Sequence, residues 1–129
     1  MLDLNNKKLI KTMEYTNLDI WIECRKLTNI VYDFTKTFPK EEIFGLTNQI
    51  RRCAVSVPSN IAEGCGRNTS KETIHFLFIA RGSIYELETQ LYLSLDQNYI
   101  EKEEFENILS QIMLCKKLLN GFINYYKNK

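Results

Sequence analysis

Apolar residues recur at alternating spacings of three and four along almost the whole chain, the period of a helix with one buried face. Ile20, Cys24, Leu27, Val31, Phe34 and Phe38 form the first stripe, which Pro39 ends because proline disfavours helical backbone in the residue before it. Leu46, Ile50, Cys53, Val57 and Ile61 form the second, with Gly64 and Gly66 expected to close it through a left-handed cap. Thr69-Ser70-Lys71-Glu72 reads as a capping box that opens a third helix along Leu77, Ala80, Ile84, Leu87 and Leu91. Asp96-Gln97-Asn98 breaks the period. Ile100 and Phe105 are then spaced to staple the start of a fourth helix, whose stripe runs through Phe105, Ile108, Ile112, Cys115, Leu119, Phe122 and Tyr126. β-Branched residues never alternate cleanly with polar ones. The pattern predicts an all-α, antiparallel up-down-up-down four-helix bundle with helices crossing at roughly 20°. Residues 17–129 form this bundle domain and residues 1–16 an N-terminal arm.

Several helices carry more apolar surface than one seam needs. Trp21, Ile30 and Tyr32 lie off the stripe of the first helix, as do Phe76, Phe78, Ile79, Tyr85, Tyr92 and Leu93 on the third, and Met113, Leu114, Ile123 and Tyr125 on the fourth. A monomeric bundle exposes the outer half of each helix, so aromatic residues there predict a second buried surface, most simply between subunits.

A polar ridge runs beside the apolar one. Gln49, Arg52, Ser56, Asn60 and Glu63 step by three and four along the second helix, and Ser83, Glu86, Gln90 and Ser94 do so along the third. If the ridges face each other, Arg52 is placed to meet Glu86 and Asn60 to meet Gln90. Such groups are costly to bury unless paired, and their structural benefit is register. A structural polar seam, a plain solvated face and a ligand site are the three readings. Pro58 removes one backbone bond and predicts a kinked second helix, with Ser56 and Ser59 placed to satisfy the freed carbonyl. Gly82-Ser83 reads as a point of close helix approach.

Composition narrows the chemistry. Seventeen basic and sixteen acidic residues give a net charge of +1, which argues against attraction of a whole surface to nucleic acid or anionic lipid. A local basic patch remains open, with Arg25, Lys26, Arg51, Arg67, Lys71, Lys116 and Lys117 as the candidate nucleic-acid contacts. No run of about eighteen apolar residues exists to span a bilayer, and no signal peptide is read at the N-terminus, so the expected compartment is the cytoplasm. The four cysteines form no CxxC pair and one histidine accompanies them, so no metal site or cofactor is expected. Glu72 and His75 make one Glu-x-x-His pair where a di-iron bundle needs two, and no GxSxG or phosphate loop occurs. A non-enzymatic protein is expected.

The run IRRCAVSVPSNIAEGCGR, followed by FLFIARGSIYELETQL, resembles the signature of the bacterial four-helix-bundle family often called 23S rRNA intervening-sequence proteins. Trp21, Leu27, Tyr32 and Phe38-Pro39 fit as well, and the resemblance covers about Leu18 to Tyr126. It implies a small bundle assembled as a ring-shaped homopentamer. The family name reflects where some genes lie and is no evidence of ribosome binding. A related branch, the accessory variability protein of diversity-generating retroelements, implies a basic barrel that binds a reverse transcriptase and nucleic acid. Glu41-Glu42, Glu86, Glu88 and the cluster Glu101, Glu103, Glu104, Glu106 depart from that basic character. The expected function is a homo-oligomeric binding or scaffold module for RNA, DNA or a nucleic-acid-processing protein. A protein-only adaptor is the alternative.

Overall fold

The computed structural model describes residues 14–129, and four helices account for most of them: α1 (Asp19–Thr35), α2 (Leu46–Cys65), α3 (Ser70–Asp96) and α4 (Lys102–Lys127). Each helix packs on its chain neighbours and α1 closes the ring against α4, so the antiparallel up-down-up-down bundle is as the periodicity predicts. Of the arm, residues 1–13 lie outside the described residues. Tyr15–Asn17 form a short 3-10 turn, with Tyr15 edge-on to Trp21 at 5.3 Å.

The core is the union of the four stripes. Leu27, Ile50, Ile61, Leu77, Ile84, Leu87, Leu91, Ile112 and Leu119 are all sealed from solvent. The stripe of α4 corrects one expectation. Ile123 is a core residue, while Phe122 and Tyr126 only pack against the core from its edge. The last turns therefore keep the four-residue step from Leu119.

The ends of the helices show which local signals act. Thr69 Oγ1 accepts from the Glu72 N–H at 3.1 Å, capping α3 as read from its sequence. α1 ends at Thr35, three residues before Phe38, which is buried in the following turn. The left-handed cap belongs to α3 rather than α2. Asn98 has φ 62°, Asn98 N–H bonds to Leu95 O and Tyr99 N–H to Ser94 O, the two bonds of a Schellman motif. No glycine among the described residues has a positive φ. Gly64 is required for space instead: a Cβ there would lie 3.1 Å from Thr73 O and 3.2 Å from Phe76 Cβ, at the tight corner between α2 and α3.

α2 continues through Pro58, which supplies no N–H for Ala54 O. That carbonyl is satisfied from another helix: Thr28 Oγ1 on α1 donates to Ala54 O at 3.0 Å. Ser56 and Ser59, the expected donors, do not bond it; Ser56 turns instead to Ser83 on α3.

Phe34, Phe38 and Tyr99 pack as an aromatic cluster that ties the α1–α2 connection to the α3–α4 turn. Glu42 completes the tie. Its Oε1 accepts from Leu46 N–H at 3.0 Å and its Oε2 from Tyr99 OH at 2.7 Å. The amide bond first, and the phenol second, hold the Glu42 carboxyl below its ordinary value. A carboxylate whose folded pKa is depressed contributes stability above its unfolded pKa and loses it as pH falls through the folded one. The melting temperature of the protein is therefore expected to fall more steeply below about pH 4.5 than that of Glu42→Gln. Parallel slopes in thermal melts of the two proteins from pH 6 down to about pH 3 would place the acid sensitivity elsewhere.

Candidate functional site

The border between α2 and α3 is polar, and it opens as a groove of about 440 Å³ lined by Asn48, Gln49, Arg52, Cys53, Ser56, Ser83, Glu86 and Gln90. Six of these eight are residues that helical spacing placed on the two ridges. Ser56 Oγ and Ser83 Oγ lie 2.9 Å apart and join the helices directly. Asn60 Nδ2 donates to Ser56 O at 2.9 Å and to Ser56 Oγ at 3.0 Å, so the network reaches one turn further. Ser94, buried at the far end of the ridge, turns back to its own helix and donates to Gln90 O.

Two predicted pairs do not form. Arg52 is exposed and makes no ion pair with Glu86, and Asn60 bonds within α2 rather than to Gln90. The serine pair meets at the crossing of the two helices, and Arg52 and Glu86 lie on its solvent side. Gln90 Oε1 is buried and accepts no hydrogen bond among the described residues. Glu63 leaves the seam to pair with Arg67 one turn on.

Spacing alone assigns Cys53 to the apolar stripe and misses its second role. Its Sγ donates to Ser83 O at 3.0 Å, and burial first, then the charge of Glu86, pushes the thiol up to about 12. Such a thiol stays protonated and is no nucleophile near neutral pH. Cys24 and Cys115 are buried, and the neighbouring Cys115 thiol, together with burial, raises the Cys24 thiol above its ordinary value. Gly82, read as a close-approach residue, has nothing within 4 Å of where a Cβ would sit; Ser83 is the one at the crossing.

The candidate nucleic-acid residues do not gather on one face. Arg25 stacks over Trp21 and Lys26 pairs with Glu23 on α1. Arg51 Nε donates to Thr35 Oγ1 at 2.8 Å and its guanidinium lies 4.9 Å over Tyr32. Arg67 sits over Phe76 beside Glu63, at the α2–α3 corner. Lys116 pairs with Glu88 at 2.7 Å and lies 4.4 Å from the Tyr85 ring. Lys71 and Lys117 are exposed with neither kind of partner among the described residues. Sequence spacing also misses a ladder on the α3–α4 border, where Arg81 lies over Phe78 and bonds Asn120 Oδ1. Seeing it requires the α3–α4 register, which no single-helix pattern contains.

His75 is exposed on the outside of α3, edge-on to Phe76. Among the described residues no helix is long and apolar enough to cross a membrane.

The architecture has a known counterpart. A solved structure from Bacteroides thetaiotaomicron, described as a protein of unknown function from the S23 ribosomal protein family, superposes with a TM-score of 0.74 at 25% identity. The alignment covers 81% of this chain and 95% of that one. No curated protein matches the chain. The family model described as 23S rRNA-intervening sequence protein matches residues 16–121, which hold the first three helices, most of α4 and the whole polar groove. The chain therefore belongs to the 23S rRNA-intervening sequence protein family.

Proposed function

We propose that the chain is a non-enzymatic, homo-oligomeric bundle acting as a binding or scaffold module. The observation that carries this is the apolar outer surface. Tyr85, Tyr92, Leu93 and Met113 are each 45–50% exposed, and they stand on two adjacent helices. Exposed aromatic clusters of this kind are what subunit interfaces bury. The buried Gln90 oxygen, without a bond among the described residues, supports the same reading, since a second copy can supply its donor. The reading of the chain as no enzyme is supported by the groove's chemistry: a protonated thiol, two hydroxyls bonded to each other, amides, and one arginine and one glutamate that do not pair with each other.

Light scattering is expected to give a mass several times 15.2 kDa, with five copies the number that the family resemblance implies. A monomer at every concentration tested would sink the proposal.

A second reading makes RNA, DNA or a nucleic-acid-processing protein such as a reverse transcriptase the partner. It is favoured by the alternation of Arg81 with Phe78 and Lys116 with Tyr85 along the α3–α4 border, since exposed rings flanked by cations are how single strands are held. Filter binding to single-stranded RNA at two salt concentrations tests it. Retention of a co-purified protein after nuclease treatment, without RNA binding, would favour the protein-only adaptor.

A further inference from the structure

Phe44 is 92% exposed, and Ile43 beside it is 51% exposed, on the connection between α1 and α2. This is no loose tip. Lys40–Glu42 form a 3-10 turn, Ile43 N–H bonds to Lys40 O at 3.1 Å, Gly45 N–H bonds to Glu42 O at 2.9 Å, and the Glu42 carboxylate is clamped on both oxygens. The ring is held out in water by an ordered support, the arrangement of an anchor residue at an interface.

The two ends of the bundle differ in charge. Around Phe44, residues 40–46 and 96–104 carry six carboxylates and two lysines, a balance of −4. At the other end, residues 14–19, 64–72 and 117–129 carry five cations and three carboxylates, a balance of +2. That second end also holds an apolar groove of about 380 Å³ between the start of α1 and the end of α4. Leu18, Leu118, Phe122 and Tyr125 line it, with Lys117 on its α4 side and Asp19 on its α1 side. Gly121 opens it further, because a Cβ there would meet nothing within 4 Å.

We propose that Phe44 of one copy seats in the α1–α4 groove of the next, with Lys117 facing the carboxylates that surround the ring. The occupant is a second copy because the chain itself carries both the acidic plug and, on its oppositely charged end, an apolar receptor. The two surfaces are different, so the contact is head-to-tail and does not close on itself in a pair. It adds an end-to-end joint to whatever assembly the outer helix faces make. It strengthens with protein concentration and weakens with salt, because its rim charges are exposed.

Sedimentation velocity of the full chain over a range of concentrations, at low and at high salt, reads the joint. Phe44→Ala removes the plug and Gly121→Gln fills the groove. Both positions are exposed, so far-ultraviolet circular dichroism is expected to match that of the parent. Each variant alone should lose the concentration-dependent growth, with an association constant lowered at least about tenfold. An equimolar mixture should regain a single joint without further growth, because an intact Phe44 from one variant meets an intact groove from the other. A Phe44→Ala protein that sediments like the parent at every concentration and salt overturns the proposal. A mixture that fails to associate does the same, and points to a foreign cationic partner for Phe44. Assembly through the outer helix faces survives both substitutions, so this result leaves the oligomer proposed above untouched.

Discussion

Replacing Ser83 by leucine is expected to lower the stability of the fold by about 3 kcal/mol, where alanine at the same position costs about 1 kcal/mol. α2 and α3 make the most extensive of the helix pairings, and small groups let them approach. Cys53 Sγ lies 3.0 Å from the backbone oxygen of Ser83, and Ser56 Oγ lies 2.9 Å from Ser83 Oγ. Further along, Thr73 Oγ1 donates to Gly64 O at 2.8 Å, and a Cβ on Gly64 would already press on Thr73. Ser83 is 8% exposed between these contacts. Alanine removes one hydroxyl and leaves Ser56 able to turn to Asn60 or to solvent. Leucine adds branched carbon where backbone and sulfur stand in van der Waals contact, so the helices must part or the side chain must leave its rotamer. For a bundle of this size the two substitutions should lower the melting temperature by roughly 10 °C and roughly 3 °C, read by circular dichroism. Equal shifts for the two variants would mean that the seam is not tight.

This seam marks what could be read along the chain and what could not. Each helix face was legible because burial imposes its period on a single segment: Ile84, Leu87 and Leu91 are core for the same reason that Ser83 and Glu86 are not. The two polar ridges were legible on the same ground. Their partners were not. Whether Ser83 meets Ser56, or Arg52 meets Glu86, depends on the axial offset of two helices, and that offset is decided by Gly64 against Thr73 at the corner between them. The caps show a similar divide. Thr69 acts through atoms three residues away and was identified from its neighbours. Gly64 was expected as a left-handed cap and is required for space instead, because a glycine needed for space and one needed for backbone conformation look alike in a sequence. Phe44 escaped notice because it belongs to no helical stripe; its exposure follows from where the clamped turn of Glu42 points it.

Thr28→Val is expected to destabilise the protein by about 2 kcal/mol, and Pro58→Ala is expected to abolish most of that cost. Valine has the shape of threonine, so packing is preserved and only the hydroxyl is lost. That hydroxyl donates to Cys24 O and to Ala54 O, both at 3.0 Å. The loss at Cys24 is small, because a carbonyl inside α1 still has its helical donor. The loss at Ala54 is large, because residue 58 is proline and brings no N–H to that oxygen, and Ala54 is only 1% exposed. The carbonyl is then left unsatisfied against the core, which costs more than the net gain of an ordinary hydrogen bond. Alanine at position 58 restores the missing N–H from within α2. Thr28→Val in that background should cost less than about 0.5 kcal/mol, giving a coupling above 1 kcal/mol between residues on different helices. Denaturant melts of the four proteins measure it, and the cycle cancels whatever Pro58→Ala does to the shape of α2 by itself. Additive effects would show that Ala54 O finds another donor when Thr28 is lost. Strong coupling would mean that Pro58 ties α2 to α1, because the carbonyl it frees is the one that the neighbouring helix bonds.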